Sequence, residues 1–223
     1  MVERLIEKTR PSVKLEATTQ TKGERTRSRI LDVAYEAIVQ KGFAATSIDE
    51  LVEAAGITKS GFFYHFRDKN DLARQLLDRF LAEDEAIIDM LAERARNLSD
   101  DPLQSFLIFL NLYAEMMDDL PDLHPGCLVA AITYQEQLFD QEVVRLNRDS
   151  IVKMRARFLE WLDAIARRYP PRDEIDLAAM ADTLTVVVEG SIILSKALAE
   201  RELMGRQTRL FRQLVRLTFE AQA

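Results

Sequence analysis

The sequence predicts an all-α protein of about nine helices, with a small helix-turn-helix unit near its start and a larger helical domain behind it. Three observations carry this expectation. Gly (7) and Pro (6) are scarce among the 223 residues while Ala, Leu, Arg and Glu are abundant, so helix breakers are few and good helix formers many. Apolar residues recur at three- and four-residue spacing through most of the chain, the period of a helix with one buried face. Capping residues and breakers stand where one periodic stretch gives way to the next.

Taken in order, residues 1–23 mix basic, acidic, Ser, Thr and Gln side chains without an apolar period, which predicts a mobile tail. From about Glu24 to Lys41, Ile30, Leu31, Ala34, Ala37 and Ile38 share a helix face, and Gly42 supplies a C-cap. Ser47 with Glu50 three residues on has the pattern of a capping box, opening a short helix with Ile48, Leu51, Val52 and Ala55 inward. Gly56 breaks it. Thr58 caps a third helix to about Phe66, and Asp68 caps a fourth that reaches about Ala95. Asp100-Asp101-Pro102 restarts the chain as a helix to about Met117, because Asp caps and Pro suits the first turn. A loop at Pro121–Gly126 precedes a short helix over Cys127–Leu138. Asp140–Tyr169 forms a long amphipathic helix stopped by Pro170-Pro171, and helices over about Asp173–Glu200 and Leu203–Phe219 complete the chain. The expected division is therefore a tail over 1–23, a helix-turn-helix domain over 24–70 and a larger helical domain over 71–223.

Net charge is -7, which by itself disfavours a polyanionic partner. The distribution is uneven: residues 1–70 hold 12 Lys/Arg against 10 Asp/Glu, and 71–223 hold 18 against 27. A mildly basic head on an acidic body can bind nucleic acid if its cations share one face. The single Cys127 cannot form an intramolecular disulfide and fits a reducing compartment. No apolar run near eighteen residues and no signal-peptide pattern stands in the chain, which predicts no membrane span and a cytoplasmic location. There is no HExxH, GxSxG or Walker glycine loop and no His/Cys cluster, so the expectation is no enzyme, no metal site and no cofactor.

The stretch AGITKSGFFYHFRDK, Ala55–Lys69, is the most informative. Two short helices joined through Gly56, with Ile57 dropping into the core, fit a helix-turn-helix in which Thr58–Phe66 is the recognition helix. Phe62 and Phe66, four apart, share the buried face, leaving Lys59, Ser60, Gly61, Tyr64 and His65 on the other side. Lys59 offers a cation, Ser60 and Tyr64 hydroxyls and His65 a ring donor, all suited to phosphate oxygens or base edges. Gly61 suits a close backbone approach to a groove, and Lys69 sits at the start of the next helix, where backbone N–H groups favour an anion.

The segment GFAATSIDELVEAAGITKSGFFYHFRDKNDL resembles the N-terminal DNA-binding domain of the TetR family of transcriptional regulators. The resemblance implies an all-helical homodimer that binds double-stranded DNA, and a C-terminal domain that takes a small-molecule effector and dimerises through its last two long helices. Carried across residue by residue, it implies DNA contacts from Thr46 or Ser47, Lys59, Gly61, Tyr64, His65 and Lys69. Phe63 departs from the family pattern, in which a Tyr hydroxyl commonly reaches a phosphate, so no polar contact is expected there.

In the larger domain, Leu184, Val187, Val188, Ile192, Leu194 and Leu198 make one helix apolar on most sides, and Leu210, Phe211, Leu214, Leu217 and Phe219 line the last. Candidate effector-pocket residues are Phe109, Tyr113, Met116, Cys127, Tyr134, Phe158, Trp161 and Glu189, the last a carboxylate inside an apolar run that can meet a cation, an arginine or water. A tilt of the fourth helix would change the separation of two recognition helices in a dimer. A DNA-binding dimer without an effector is the alternative reading, and a helical enzyme a remote one.

Overall fold

The computed structural model describes residues 21–219, so the tail expected over 1–23 lies outside them except for its last three residues, which open the first helix. Nine α-helices and one 3₁₀ turn, with no strand, make up the described residues. They are α1 (Lys22–Lys41), α2 (Ile48–Ala54), α3 (Lys59–His65), α4 (Lys69–Leu98), α5 (Pro102–Asp118), α6 (Leu128–Tyr134), the 3₁₀ turn Glu136–Leu138, α7 (Gln141–Arg168), α8 (Leu177–Leu198) and α9 (Leu203–Phe219).

The expected caps form, with one exchange. Thr58 accepts the Gly61 N–H at 3.1 Å, Asp68 the Asp71 N–H at 2.8 Å and Asp101 the Gln104 N–H at 2.9 Å. Ser47 accepts the Glu50 N–H at 3.2 Å, but the Glu50 carboxylate pairs with Lys41 instead of closing the reciprocal box. The complete capping box lies one helix earlier: Thr21 Oγ1 accepts the Glu24 N–H at 3.2 Å while Glu24 Oε2 accepts the Thr21 N–H at 2.7 Å. Lys41, at the end of α1, is the competing partner that draws Glu50 away.

The chain packs as two compact units. The first holds the described residues through Glu83 together with Pro125–Asp149, so α6 and the start of α7 join the helix-turn-helix. Its core includes Ile30, Leu31, Leu51, Phe62, Phe66, Leu72, Leu76 and Leu77, with Leu128, Ile132 and Val143 from the later segment. Specific contacts tie that segment in: Phe43 and Phe139 rings lie 4.2 Å apart, Tyr35 Oη donates to the Gly126 carbonyl at 3.2 Å, and Gln135 Oε1 accepts the Ala44 N–H at 3.2 Å. The Gln135 amide also lies over Gly42, where an added Cβ would meet Nε2 at 2.3 Å and displace that side chain, and the φ of 85° favours glycine at this turn.

The second unit holds Asp84–His124 and the described residues from Ser150 on. Here α9 packs on α5 and α8. Arg209 pairs with Asp118, Arg212 Nε donates to the Leu107 carbonyl at 3.0 Å, and a Cβ at Gly205 would meet Asp118 Oδ1 at 2.0 Å, so α9 crosses α5 at close range. Leu184 and Ile192 of α8 and Phe211, Val215 and Phe219 of α9 are buried, while Val186, Ile193, Leu194, Leu198, Leu210, Leu214 and Leu217 are exposed. The apolar continuity read from these helices thus divides into an inward and an outward half.

One expectation needs correction. The helix α8 is long and apolar enough to cross a membrane by length and composition alone, with a mean hydropathy of 1.7 over an 18-residue window. Isolated polar residues such as Asp182 and Glu189 interrupt the run in the sequence, which is why no unbroken stretch signals it.

Candidate nucleic-acid interface

Two glycines shape the site. Gly42 ends α1, and Gly56, with a φ of 61° and open space around it, turns the chain between α2 and α3. Val52 O accepts the Ile57 N–H at 3.1 Å, and Ile57 packs against the core as expected. Thr58 then starts α3, whose two phenylalanines anchor it: Phe62 is 0% and Phe66 1% exposed, with ring centroids 5.4 Å apart. Burying two such side chains contributes on the order of 4 kcal/mol, enough to hold a seven-residue helix that would not persist alone.

With that face down, the opposite side stands clear. Tyr64 is 82% exposed, its ring meeting His65 edge-on at 4.9 Å. Phe63 is 47% exposed and lies edge-on to Phe62, presenting an apolar surface and no polar contact. Ser60 is exposed and shares a hydrogen bond with Thr58 at 3.0 Å, and exposed Ser47 caps α2 while its own O–H stays available to donate. At Gly61 an added Cβ would meet Thr58 Oγ1 at 3.3 Å, so the absent side chain protects the cap in addition to leaving the backbone bare.

Four candidates carry intramolecular contacts that the sequence did not show. Thr46 is 1% exposed and donates its hydroxyl to the Gly42 carbonyl at 2.9 Å, so its side chain fastens the α1–α2 turn and is withdrawn from any partner. Lys69 folds back: its ammonium donates to the Phe43 carbonyl and lies 4.0 Å from the centre of the Phe43 ring. Burial lowers its pKa. Lys59 stays exposed but is paired with Asp49 at 2.8 Å. His65 is half-buried, and burial together with the nearby Arg27 lowers its pKa, favouring the neutral ring. The sequence pattern identified which face is outward, but not these intramolecular partners.

Missed altogether was a polar chain behind the recognition helix. Asp71, 7% exposed, accepts the Arg67 N–H at 3.0 Å and the side chains of Arg74 at 3.2 Å and Gln75 at 3.1 Å. Burial works against its charge, but these hydrogen bonds prevail and lower its pKa. Gln75 Oε1 in turn accepts from Arg27 Nε at 2.9 Å and Nη2 at 2.6 Å. The only sequence trace of this chain was the Asp68/Asp71 spacing.

The effector-pocket candidates separate. Cys127 and Tyr134 belong to the first unit, and Tyr134 is 76% exposed, so it lines no pocket; it ends a short helix whose buried face is taken by Leu128 and Ile132. In the second unit, Phe109, Tyr113, Phe158 and Trp161 cluster with Phe106, the Phe109 and Trp161 rings lying 4.8 Å apart. Phe106, Phe109 and Trp161 line a cleft of about 260 Å³ with Arg96, Ser99 and Asp100 at its polar side. Met116 and Phe158 are buried core residues outside that lining. Glu189 is half-buried and acts on Asp84, whose pKa burial and the Glu189 charge push up to about 6 against the pull of Arg157.

Residues 30–76 match the family model of bacterial regulatory proteins, tetR family. The chain is 40% identical over 58 residues to the HTH-type transcriptional regulator AcrR of Shigella flexneri, a match covering 26% of this chain and 27% of that protein. It is 23% identical over 137 residues to the biofilm operon icaADBC HTH-type negative transcriptional regulator IcaR of Staphylococcus aureus, covering 57% and 73%. The fold is similar to that of a TetR-family transcriptional regulator from Agrobacterium tumefaciens, with a TM-score of 0.73 and 20% identity over 89% of this chain and all of that one. Residues 30–76 thus carry the helix-turn-helix segment of the tetR family of bacterial regulatory proteins, and the match to AcrR spans about a quarter of that relative's length.

Proposed function

We propose that the chain is a cytoplasmic DNA-binding repressor that acts as a homodimer on an inverted-repeat operator and is released by a small, largely apolar effector. The observation that carries this reading is the division of α3: Phe62 and Phe66 fully buried, Tyr64, Ser60 and Phe63 outward on the same two turns. A helix so anchored presents its free edge to a major groove, and two copies related by a two-fold axis read two half-sites. Residues 24–70 serve as the DNA-binding segment, packed with Pro125–Asp149 in the first unit, and the second unit serves effector binding and dimerisation. The outward apolar residues of α8 and α9 support pairing with a second copy, since so much apolar surface is unfavourable in water. The similarity to IcaR, named a negative transcriptional regulator, supports repression.

The cleft lined by Phe106, Phe109 and Trp161 is the effector candidate, its aromatic walls suiting an apolar ligand and its Arg96 and Asp100 a polar end. An effector releases DNA only through its difference in affinity between bound and free conformations. The test is random-site selection on DNA followed by mobility-shift titration. An inverted repeat is expected, with affinity falling steeply as salt rises. Tyr64→Ala is expected to weaken binding about tenfold with the fold intact, as one lost groove contact implies. Failure to select any duplex would refute the reading. Apolar compounds that raise the melting temperature while lowering operator affinity would establish the effector; none doing so would favour a DNA-binding dimer without one.

A further inference from the structure

The recognition helix faces outward, yet the cations nearest its edge already have partners within the chain. Lys59 is paired with Asp49 and Lys69 with the Phe43 carbonyl and ring, while burial favours a neutral His65. A DNA face needs positive charge, because phosphate neutralisation and counterion release supply most of the affinity. Further charge can come from neighbouring elements of the same unit.

The first turns of α1 are the place. Gly23 lies beside the recognition helix, an added Cβ there standing 4.0 Å from His65 Cε1. One turn on, Arg27 is close enough to act on the His65 ring. Its guanidinium is not left to wander. Nε and Nη2 both donate to Gln75 Oε1, and the Gln75 amide is turned by Asp71, which holds its nitrogen and so presents its oxygen to Arg27. Asp71 also holds the Arg67 N–H just past the end of α3, so one buried carboxylate sets both the exit of the recognition helix and the aim of Arg27. Nη1 takes no part in the Gln75 bonds, and its two N–H groups can serve another acceptor.

We infer that Arg27 is a phosphate-contacting residue of the DNA face, aimed by the Asp71–Gln75 pair on α4. The inference rests on the DNA-binding reading. It adds a contact on α1, supplied by a planar fork that matches phosphate geometry and loses little freedom because it is already oriented. Gln75 and Asp71 are positioning residues: they touch Arg27 and the chain at Arg67, not the DNA.

The experiment uses the full chain and a duplex obtained by random-site selection, titrated over a range of salt. Arg27→Gln removes the charge while keeping a donor toward Gln75. It is expected to lower affinity on the order of tenfold and to reduce the log affinity against log salt slope by about one per protomer bound. Gln75→Leu keeps the charge and removes its guide, so affinity should fall severalfold with the slope retained. Arg27→Lys should restore the slope without restoring full affinity. Circular dichroism and melting verify that each variant is folded. An unchanged slope for Arg27→Gln would overturn the contact, and unchanged affinity for Gln75→Leu would overturn the positioning role. If the unmodified chain selects no duplex, the DNA-binding reading fails and takes this assignment with it; if it binds and only Arg27→Gln is silent, the assignment alone fails.

Discussion

The recognition helix α3 and the pair α8 and α9 both leave large side chains uncovered, and they do so in opposite ways. On α3 the uncovered edge sets a hydroxyl and a phenol around one phenylalanine, with a half-buried imidazole beside them, and two buried phenylalanines hold the helix from below. On α8 and α9 the uncovered large apolar residues are Val186, Ile193, Leu194, Leu198, Leu210, Leu214 and Leu217, interspersed with polar ones such as Arg206 and Gln213, while an inward face of Leu184, Ile192, Phe211 and Val215 already satisfies the local core. Polar exposure on a rigid element suits a hydrated, charged partner, because hydrogen bonds lost to water are regained at the contact. Apolar exposure suits a partner that brings apolar surface of its own. The same degree of exposure therefore points to nucleic acid in one region and to protein in the other, and the chemistry of the surface decides which.

The contrast is broken most severely at the anchor. Phe62→Ala empties a site with 0% exposure and is expected to destabilise the first unit by about 3–5 kcal/mol, seen as a lower urea midpoint and loss of operator binding. Next is the apolar face. Leu194→Glu with Leu214→Glu places charges where a partner copy would seat, at a cost of about 3 kcal/mol or more to association, so sedimentation should show monomers. If the double variant sediments as the unmodified chain does, the α8 and α9 face is not the dimer contact.

A smaller effect of opposite sign is expected at Asp84. Its pKa, ordinarily 3.8, is pushed up to about 6 by burial and Glu189, with Glu85 adding to this and Arg157 opposing it. The folded state thus holds the proton more tightly than the unfolded chain, so stability is retained at low pH and lost as pH rises through about 6. Asp84→Asn should add about 2 kcal/mol near pH 8 and almost nothing near pH 3, measured by urea unfolding at each pH. The smallest change concerns the cap of α3: Thr58→Ala removes the acceptor of the Gly61 N–H and should cost about 1 kcal/mol, with a proportionate fall in operator affinity.

Much of the first unit was legible along the chain because its signals are local. Thr58, Asp68 and Asp101 are caps whose partners lie three residues away, and Gly42 and Gly56 adopt positive φ at the turns expected of them. The four-residue spacing of Phe62 and Phe66 identified the buried side of α3, and with it the exposure of Tyr64. What the sequence did not show shares a cause. Thr46 or Ser47 was read as a DNA contact, Lys69 as part of an anion site and Tyr134 as a pocket wall, and in each case the neighbour or empty space around the side chain is set by packing. Arg27 and Gln75, 48 positions apart, carry no mark in the sequence of belonging together.

By itself the sequence determined the helices, their order, most of their caps and the faces that α2 and α3 turn inward, because helix periodicity and capping depend on residues within one or two turns of one another. Only the tertiary structure decided that Pro125–Asp149 packs with the helix-turn-helix, that Lys59 meets Asp49 and Lys69 meets Phe43, and that α8 and α9 keep apolar residues outward. Those outcomes depend on which distant groups compete for the same hydrogen bond or the same space, and that competition is settled only when the elements are packed together.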